Sequence, residues 1–439
     1  MDNLLSSLKT ETEFSKSRTL IFENFKEVLK GCRFLQSRLI IHLLAGITVF
    51  SAFCISSSAI AQDTSRTGIE VWKTKSGGVN VERLARLKEP WGMAYLPDGK
   101  LLITEKAGTL RIFSNGKLSA PVGGVPKVAY GGQGGLLDVA VDLDFAKNKF
   151  VYLTFTEAAE KQPVIDKDET DPRLGTFGDA KDVVLKGGAL VRGRLEGNEL
   201  KDMKVIWRQI PKTIGRGHTG GILVFAPDGK LFITSGDRQR FEPAQDLSSN
   251  LGKIIRINPN GSVPQDNPYV NKKGALPDIW SIGHRNPLGA AFNPVTKKLW
   301  IHEMGPLHGD ELNIAEPGKN YGWPVVSNGD NYDRSRIPDH ETRPEFAGPV
   351  EYWHPAISPA GMIFYTGNIF ADWSGNILIG GLSSEVLIRL TLEGDKVKSE
   401  ERIYLHRRIR DVIQAPDGSV VLLSDGPDGE LLRLTPASK

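Results

Sequence analysis

A histidine in a glycine-rich segment is the first candidate for chemistry in this sequence. His218 lies in the run GRGHTGG at 215–221, where glycines let the backbone turn tightly and approach other groups closely. An imidazole that is neutral near pH 7 is the usual general base of enzymes. An isolated histidine is more often structural, so the prediction depends on which polar groups accompany it.

Two further segments offer polar groups of complementary types. Gln133 lies in GGQGG at 131–135, directly before an apolar run; the alternative is a tight turn with an exposed glutamine. Arg285 and Asn286 lie in GHRNP at 283–287. A fixed cation beside an amide suits the carbonyls or carboxylates of a bound ligand.

Two other segments indicate ions. Gly305 and Pro306, in EMGP, can supply backbone carbonyl oxygens to a hard cation such as Ca²⁺; the alternative is a loop with solvated acids. Arg408 and Arg410 are separated by Ile409, so on a strand both would lie on one face. Neighbouring like charges predict an anionic ligand there or, equally, a solvated strand edge.

A repeated unit separates these segments and must position them. Each copy has a polar turn followed by four or five apolar β-forming residues, and three copies contain the turn Pro-Asp-Gly. The six copies lie at 96–113, 143–157, 226–237, 293–305, 370–392 and 415–436. Turns containing Asp-Gly between apolar runs are typical of β-hairpins.

Six such units predict an all-β protein, a six-bladed β-propeller of four-stranded antiparallel blades. The alternative is a β-sandwich or a pair of barrels. We expect residues 69–72 to add a strand to the last blade and close the ring. The charged, turn-rich segments 157–187 and 330–345 are predicted to be long connections that lie over one end of the ring and shape the site.

The N-terminal segment, residues 1–61, is predicted to be an extension that ends in a signal peptide. An apolar run at 39–55 follows a polar segment of mixed charge that ends in Lys30, Arg33 and Arg38, and Ala59-Ile60-Ala61 has the A-x-A form of a cleavage site. We expect cleavage after Ala61 and a periplasmic propeller domain at 62–439. The alternative is an uncleaved anchor, for which the run is shorter than the roughly 20 residues of a membrane span.

Charge and cysteine content exclude several classes of function. The chain has 439 residues and a formal net charge of +3, so nothing in its charge favours nucleic acid, or a membrane once the signal is removed. Its two cysteines, Cys32 and Cys54, precede the expected cleavage site. The domain 62–439 therefore has no disulfide framework and no thiol nucleophile.

Taken together and in order, these segments resemble the soluble PQQ-dependent sugar dehydrogenases, the glucose/sorbosone dehydrogenase family that includes periplasmic aldose sugar dehydrogenases. The resemblance covers nearly all of 80–436 and implies a six-bladed propeller. It rests on GGQGGLLDVAVD, GHTGGILVFAPDGKLFITSGD, GKIIRINPNGSVPQDNP, IGHRNPLGAAFNP, EMGPLHGDELN, NYGWP and RIRDVIQAPDG.

The resemblance implies catalytic roles for His218 and Arg285, and cofactor-binding roles for Gln133, Arg285 and Asn286. His218 would take the proton of the anomeric hydroxyl as hydride passes to the quinone. Arg285 and Asn286 would contact the quinone, with Arg285 polarising its reactive carbonyl, and Gln133 would lie near sugar and cofactor.

It also implies how the cofactors are held. Gly305 and Pro306 would bind the cofactor-associated Ca²⁺ through their carbonyls, while Arg408 and Arg410 would contact the carboxylates of PQQ. The family pattern changes at three positions: better-known members have Asp where this chain has Gly217, several have Lys at Ser383, and an aromatic-Pro-Thr motif reads His354-Pro355-Ala356.

The implied function is oxidation of aldose sugars at the anomeric carbon to lactones. Its partners would be a small-molecule sugar and a periplasmic electron acceptor, and the protein would be a monomer or homodimer. Two alternatives stay open at this point. One is a non-catalytic propeller that has lost the cofactor, and the other is a Ca²⁺-dependent lactone hydrolase.

Overall fold

Six antiparallel sheets make up the part of the chain that the structure describes. The computed structural model describes residues 69–164 and 182–438. Five sheets have four strands and the sixth has five. Their innermost strands contact one another in ring order, which is the arrangement of a six-bladed β-propeller. The predicted fold is therefore confirmed.

Each blade is built from strands that follow one another along the chain, starting with the innermost. Blade 1 contains β3 (Pro90–Tyr95), β4 (Leu101–Glu105), β5 (Thr109–Ser114) and β6 (Lys117–Leu118). Blade 2 contains β7 (Leu136–Val141), β8 (Phe150–Ala158), β9 (Lys186–Glu196) and β10 (Glu199–Arg208). Blade 3 contains β11 (Gly220–Phe225), β12 (Leu231–Ser235), β13 (Lys253–Ile257) and β14 (Ile279–Ile282).

The second half of the ring follows the same order. Blade 4 contains β15 (Pro287–Phe292), β16 (Leu299–Glu303), β17 (Asp310–Ile314) and β18 (Glu351–Trp353). Blade 5 contains β19 (Pro359–Phe364), β20 (Ile377–Gly381), β21 (Val386–Glu393) and β22 (Lys396–Tyr404). Blade 6 contains β23 (Ile409–Gln414), β24 (Val420–Ser424), β25 (Gly429–Pro436), β2 (Gly77–Leu87) and β1 (Ile69–Thr74). Helical structure in the described ranges is short: Phe145–Asn148, Glu242–Ala244, His340–Thr342 and Ala371–Trp373.

The two ends of the described chain meet in blade 6. Strand β2 pairs with β25, and β1 pairs with β2 on the outside. Residues 69–72 thus add a strand to the last blade as expected, but β2 makes the closing pairing. Arg407 reinforces the closure through ion pairs with Glu70 (2.5 Å) and Glu430 (2.8 Å).

The sequence repeats correspond to one part of each blade. Every copy contains the turn between the innermost and second strands, together with the second strand itself. The three Pro-Asp-Gly turns end in glycines with positive φ: Gly99 (81°), Gly229 (79°) and Gly418 (87°). These values favour glycine because it lacks a Cβ.

Second strands form the middle of the core. In five blades this strand is buried along its whole length, as in β4, where Leu102 and Ile103 are fully inaccessible. Neighbouring blades cover both faces of such a strand. The sequence of such a strand is therefore a continuous apolar run and does not alternate between apolar and polar residues.

Side chains of second strands also bind the next blade. Three buried threonines donate through Oγ1 to carbonyl oxygens of the neighbouring innermost strand: Thr104 to Leu137 (2.5 Å), Thr154 to Gly221 (2.5 Å) and Thr234 to Pro287 (3.0 Å). His302 takes this place in blade 4, with Nε2 3.2 Å from the carbonyl oxygen of Gly361. Burial lowers the pKa of His302 to about 4, so its ring is neutral and donates one hydrogen. These four bonds link blades 1 to 5 in sequence and fix their angles to one another.

The predicted connections are described in part. The segment 157–187 begins and ends within β8 and β9, and its residues 165–181 lie outside the described residues. The segment 330–345 is a loop that contains the short helix His340–Thr342. The predicted signal peptide, residues 1–61, also lies outside the described residues. Across 69–164 and 182–438, no helix is both long and apolar enough to cross a membrane.

Candidate active site

The predicted site residues lie at one end of the propeller. Strands of a blade alternate in direction, so the entrance to the innermost strand and the loop between the second and third strands lie at the same end. The Pro-Asp-Gly turns lie at the other end. Residues at or before innermost-strand entrances are Gln133 (β7), His218 (β11), Arg285 and Asn286 (β15), and Arg408 (β23). Gly305 and Pro306 follow the second strand β16, and Arg410 is the second residue of β23.

All six innermost strands are irregular where they enter the ring. The register with the second strand shifts near the first residues of β3, β7, β11, β15, β19 and β23. Such bulges bend a strand locally and redirect its side chains. They occur here at the end of the ring that carries the polar residues.

His218 forms a buried pair with a carboxylate from the same blade. Its Nδ1 lies 2.6 Å from Oδ1 of Asp237, which is completely buried in the loop after β12. The other ring nitrogen, Nε2, has no hydrogen-bond partner among the described residues. Asp237 thus holds the Nδ1 proton and leaves Nε2 as an acceptor.

Three other bonds orient Asp237. Its Oδ2 accepts from Trp323 Nε1 at 2.7 Å, and its Oδ1 accepts from the backbone N–H of Gln239 at 2.8 Å. Its own backbone N–H donates to the carbonyl of Arg285 at 2.8 Å. Burial alone would raise the pKa of Asp237, but the His218 ring and Arg285 lower it below its ordinary value. The carboxylate is therefore ionised at neutral pH.

The His218 ring is kept neutral. Burial lowers its pKa below the ordinary value of 6.5, and the nearby Arg285 guanidinium lowers it further, while Asp237 opposes both effects. A neutral imidazole with a free Nε2 can accept a proton, and the carboxylate behind it can stabilise the resulting cation.

Gln133 links the two neighbouring segments. Its Oε1 accepts from the backbone N–H of His218 at 2.8 Å and lies 3.5 Å from Nδ2 of the buried Asn286. Its own N–H donates to the carbonyl of Arg216 at 2.7 Å. The preceding Gly132 has a φ of 58°, and a Cβ there would lie 2.4 Å from that same carbonyl oxygen. The glycines around Gln133 therefore let two turns pack directly together.

Arg285 is buried beside this pair. Its Nη1 donates to the carbonyl of Met304 at 2.9 Å, and its guanidinium lies 5.2 Å from the Trp323 ring centre. Tyr332, from the predicted loop 330–345, lies against it with Oη 3.4 Å from Nη2. Nε of Arg285 is buried without a hydrogen-bond partner in the described part of the chain. This cation is thus fixed with one donor to spare.

Gly305 and Pro306 form a tight turn next to Arg285. The N–H of Gly305 donates to Oδ1 of Asp310 at 2.9 Å, and a Cβ on Gly305 would lie 2.3 Å from two carbonyl oxygens. Asp310 also accepts from the backbone N–H groups of Ile357 and Ser358, directly before β19, which ties blade 4 to the entrance of blade 5. The hydrogen bonds of the described residues leave the carbonyl oxygens of Gly305 and Pro306 free.

Arg408 and Arg410 lie together, as their spacing predicts, but they share an internal counterion. Asp425, in the loop after β24, accepts two bonds from each guanidinium, at 3.0–3.1 Å from Arg408 and 2.7–3.0 Å from Arg410. The side chain of Arg408 is 47% exposed and that of Arg410 15%. The pair is therefore neutralised only in part and stays open on the Arg408 side.

Of the three positions that depart from the family pattern, Gly217 lies before blade 3, while Ala356 and Ser383 lie in the connection from blade 4 to blade 5 and in blade 5. Ser383 donates through Oγ to Oγ of Ser358 at 2.7 Å. The rings of His354 and His308 are 4.2 Å apart, and His308 Nδ1 accepts from the N–H of Ala356 at 3.3 Å. Ser383 thus contacts a neighbouring serine, while Ala356 contributes only its backbone N–H to a polar contact.

The structure joins six of the eight predicted residues into one contiguous set. Gln133, His218 and Asn286 are hydrogen-bonded, and Arg285 connects them to the Gly305–Pro306 turn. Arg408 and Arg410 lie at the same end of the ring without contacting that set. Sequence reasoning missed Asp237, Trp323 and Asp425. Asp237 is the last residue of one repeat copy. This position places it in the loop between the second and third strands, at the end of the ring that carries the site, and it could have been predicted from that.

At one end of this six-bladed propeller the chain thus gathers a ring of polar residues in which a His–Asp pair lies beside a buried arginine, a proton acceptor next to a fixed cation. Residues 87–433 match the family model described as Glucose / Sorbosone dehydrogenase. The chain belongs to this family, as its sequence motifs predicted.

Named relatives support the same assignment. Aldose sugar dehydrogenase YliI of Escherichia coli is 40% identical over 369 residues, covering 82% of this chain and 93% of that protein. A crystal structure of a glucose dehydrogenase is 42% identical with a TM-score of 0.74, covering 82% of this chain and 99% of that one. The PQQ-bound aldose sugar dehydrogenase of Streptomyces coelicolor is 27% identical with a TM-score of 0.63, covering 81% and 98%.

Proposed function

We propose that this protein is an exported, periplasmic quinoprotein that oxidises aldose sugars at the anomeric carbon to lactones, using PQQ with Ca²⁺ and passing electrons to a periplasmic acceptor. The observation that carries the proposal is the buried His218–Asp237 pair, with Nδ1 and Oδ1 2.6 Å apart, beside the fixed cation of Arg285. A base and a cation at one point suit removal of a proton next to an electron-accepting group.

The donor set fits these cofactors. PQQ is a tricarboxylate and Ca²⁺ a hard cation, so they require arginines and oxygen ligands respectively. Arginine donors are provided by the spare Nε of buried Arg285 and by the half-exposed guanidinium of Arg408. Oxygen ligands for Ca²⁺ are provided by the free carbonyl oxygens of Gly305 and Pro306.

In this proposal Arg285, Asn286 and Gln133 hold the quinone, and Arg408 and Arg410 bind its carboxylates. Gly305 and Pro306 hold the Ca²⁺. When bound, PQQ supplies the two-electron acceptor for the hydride that leaves the anomeric carbon.

The residues of the chain handle the proton. His218 Nε2 accepts it from the anomeric hydroxyl, because Nδ1 keeps its own hydrogen toward Asp237. Loss of that proton from oxygen and of a hydride from carbon leaves a carbonyl, which is the lactone product. Asp237 stabilises the imidazolium that forms until solvent removes the proton. Since the pKa of His218 is lowered, the base is ready at neutral pH.

Reconstitution tests the proposal. Purified protein is loaded with PQQ and Ca²⁺, and dye reduction is followed with a panel of aldoses. We expect turnover with at least one aldose and the release of its lactone. In His218→Asn, turnover should fall by about 100-fold or more while PQQ affinity, read from tryptophan quenching, stays unchanged. Equal losses of both would make His218 structural.

One observation favours a second candidate, a propeller that binds a ligand without turnover. Asp425 already pairs with both arginines assigned to the cofactor carboxylates, which lowers the charge left for an anion. If PQQ produces no quenching and no aldose reduces the dye, this candidate replaces the first.

A further inference from the structure

A carboxamide occupies the space next to the His218 base. If Gly217 carried a Cβ, that atom would lie 2.4 Å from both Cδ and Oε1 of Gln239 and 2.9 Å from its Nε2. The end of the Gln239 side chain therefore stands directly against the residue that precedes His218. Any side chain at position 217 would displace it.

Within 69–164 and 182–438, this carboxamide has no hydrogen-bond partner. The hydrogen bonds of Gln239 in the described structure come from its backbone: N–H donates to Asp237 Oδ1 at 2.8 Å, and its carbonyl accepts from Arg240 Nη1 at 3.4 Å. The residue is half-buried. Its two N–H donors and its carbonyl acceptor are thus available to a ligand.

The backbone holds this group firmly. Arg238, Gln239 and Phe241 have φ values of 56°, 58° and 60°, a left-handed conformation that is uncommon outside glycine and is concentrated at functional sites. The Arg238 guanidinium donates to the carbonyls of Gly215 at 2.9 Å and Gly217 at 3.4 Å. The loop that bears Gln239 and the turn that bears His218 are therefore joined as one unit.

We propose that Gln239 is a specificity-determining residue, whose carboxamide hydrogen-bonds the sugar hydroxyl next to the anomeric carbon. This inference rests on the proposed function, since it assumes that the anomeric hydroxyl lies at His218. A neutral amide both donates to and accepts from a hydroxyl, which selects aldoses with a free hydroxyl at carbon 2. It discriminates against 2-deoxy sugars, which leave the amide unpaired.

The test is a double-mutant cycle between enzyme and sugar. Wild type and Gln239→Met, which keeps the length and packing of the side chain but removes the amide, are compared on D-glucose and 2-deoxy-D-glucose. We expect Gln239→Met to lose about three- to tenfold in kcat/KM on D-glucose and to be unchanged on 2-deoxy-D-glucose. Gly217→Ala should reproduce this pattern, because its Cβ displaces the amide.

Equal losses on both sugars, or no loss on either, would overturn the assignment. Affinities of the same sugars, measured by saturation-transfer NMR on cofactor-free and cofactor-loaded protein, separate this inference from the proposed function. If wild type oxidises no aldose, the proposed function fails. A selective loss of D-glucose affinity in Gln239→Met would still support the role of the amide, and its absence would reject it.

Discussion

Replacing Asp237 with asparagine tests the His–Asp pair directly. The carboxylate accepts from Trp323 Nε1 on one oxygen and from His218 Nδ1 and the Gln239 N–H on the other. Asparagine has one acceptor oxygen. If that oxygen faces Trp323, the amide NH₂ faces His218 Nδ1, and the ring proton moves to Nε2. The nitrogen that must accept the sugar proton is then already protonated.

The size of the effect follows from the bond that is lost. A hydrogen bond to a charged group contributes about 1.5–3 kcal/mol, and each 1.36 kcal/mol changes a rate about tenfold. We therefore expect kcat to fall by about 10- to 150-fold in Asp237→Asn. The acid limb of the pH–rate profile should also move to lower pH, because the anion that opposes the lowering of the His218 pKa is gone.

The same blade provides a matched control. Asp278 accepts from Trp207 Nε1 at 2.7 Å, as Asp237 does from Trp323, but it also accepts from Asn250, and no histidine of the described residues bonds to it. Asp278→Asn should therefore disturb the fold to a similar degree and leave kcat within about twofold of wild type.

Dye-reduction kinetics from pH 5 to 9, with thermal unfolding of each variant, compare these proteins. The reasoning is refuted if Asp237→Asn keeps wild-type kcat and pH dependence, or if Asp278→Asn loses as much activity at equal stability.

Three further outcomes are expected. Arg408→Gln should weaken PQQ binding about tenfold, read by fluorescence titration, since its guanidinium is the more exposed of the two; unchanged affinity would remove it from the cofactor site. Burial raises the pKa of Asp411 from 3.8 to about 7, so between these values the folded chain keeps a proton that the unfolded chain has lost. Stability should therefore fall as pH rises through that window, and melts at pH 5 and 8 should differ less in Asp411→Asn; an unchanged difference would argue against it. Arg407→Gln should lower unfolding free energy by about 1–3 kcal/mol by freeing Glu70 and Glu430, and an unaltered urea midpoint would show that the ion pairs do not hold the closure.

Some of this architecture can be predicted from the sequence because the signals are local. A Pro-Asp-Gly turn before an apolar run identifies one hairpin, and six copies identify the ring. His218 and Arg285 stand out because glycine-rich or polar segments interrupt the repeat beside them. Both residues precede innermost strands, and all innermost strands run in the same direction through the ring. His218 and Arg285 must therefore lie at the same end of the propeller.

The remaining site residues depend on contacts between distant segments. Trp323 reaches Asp237 from 86 residues away, and no local pattern marks either as a partner. Arg408 and Arg410 predict an external anionic ligand when only the sequence is considered. In the structure their counterion is the carboxylate of Asp425, which lies outside the local motif. The side chain of Gln239 packs where a Cβ at position 217 would lie, and this contact is visible only in the structure.

The closing of blade 6 has a consequence for how the chain reaches its final form. Glu70 and Arg407 are 337 positions apart, so the last blade cannot assemble until both ends of the chain are present in the same compartment. Until then blade 6 has only its N-terminal strands β1 and β2, and the edge of β2 that pairs with β25 is left open to unintended pairing. If the chain is exported as proposed, the ring stays open while the chain crosses the membrane unfolded. The ring, and with it the candidate site at its end, is therefore complete only after the C-terminal strands have joined blade 6.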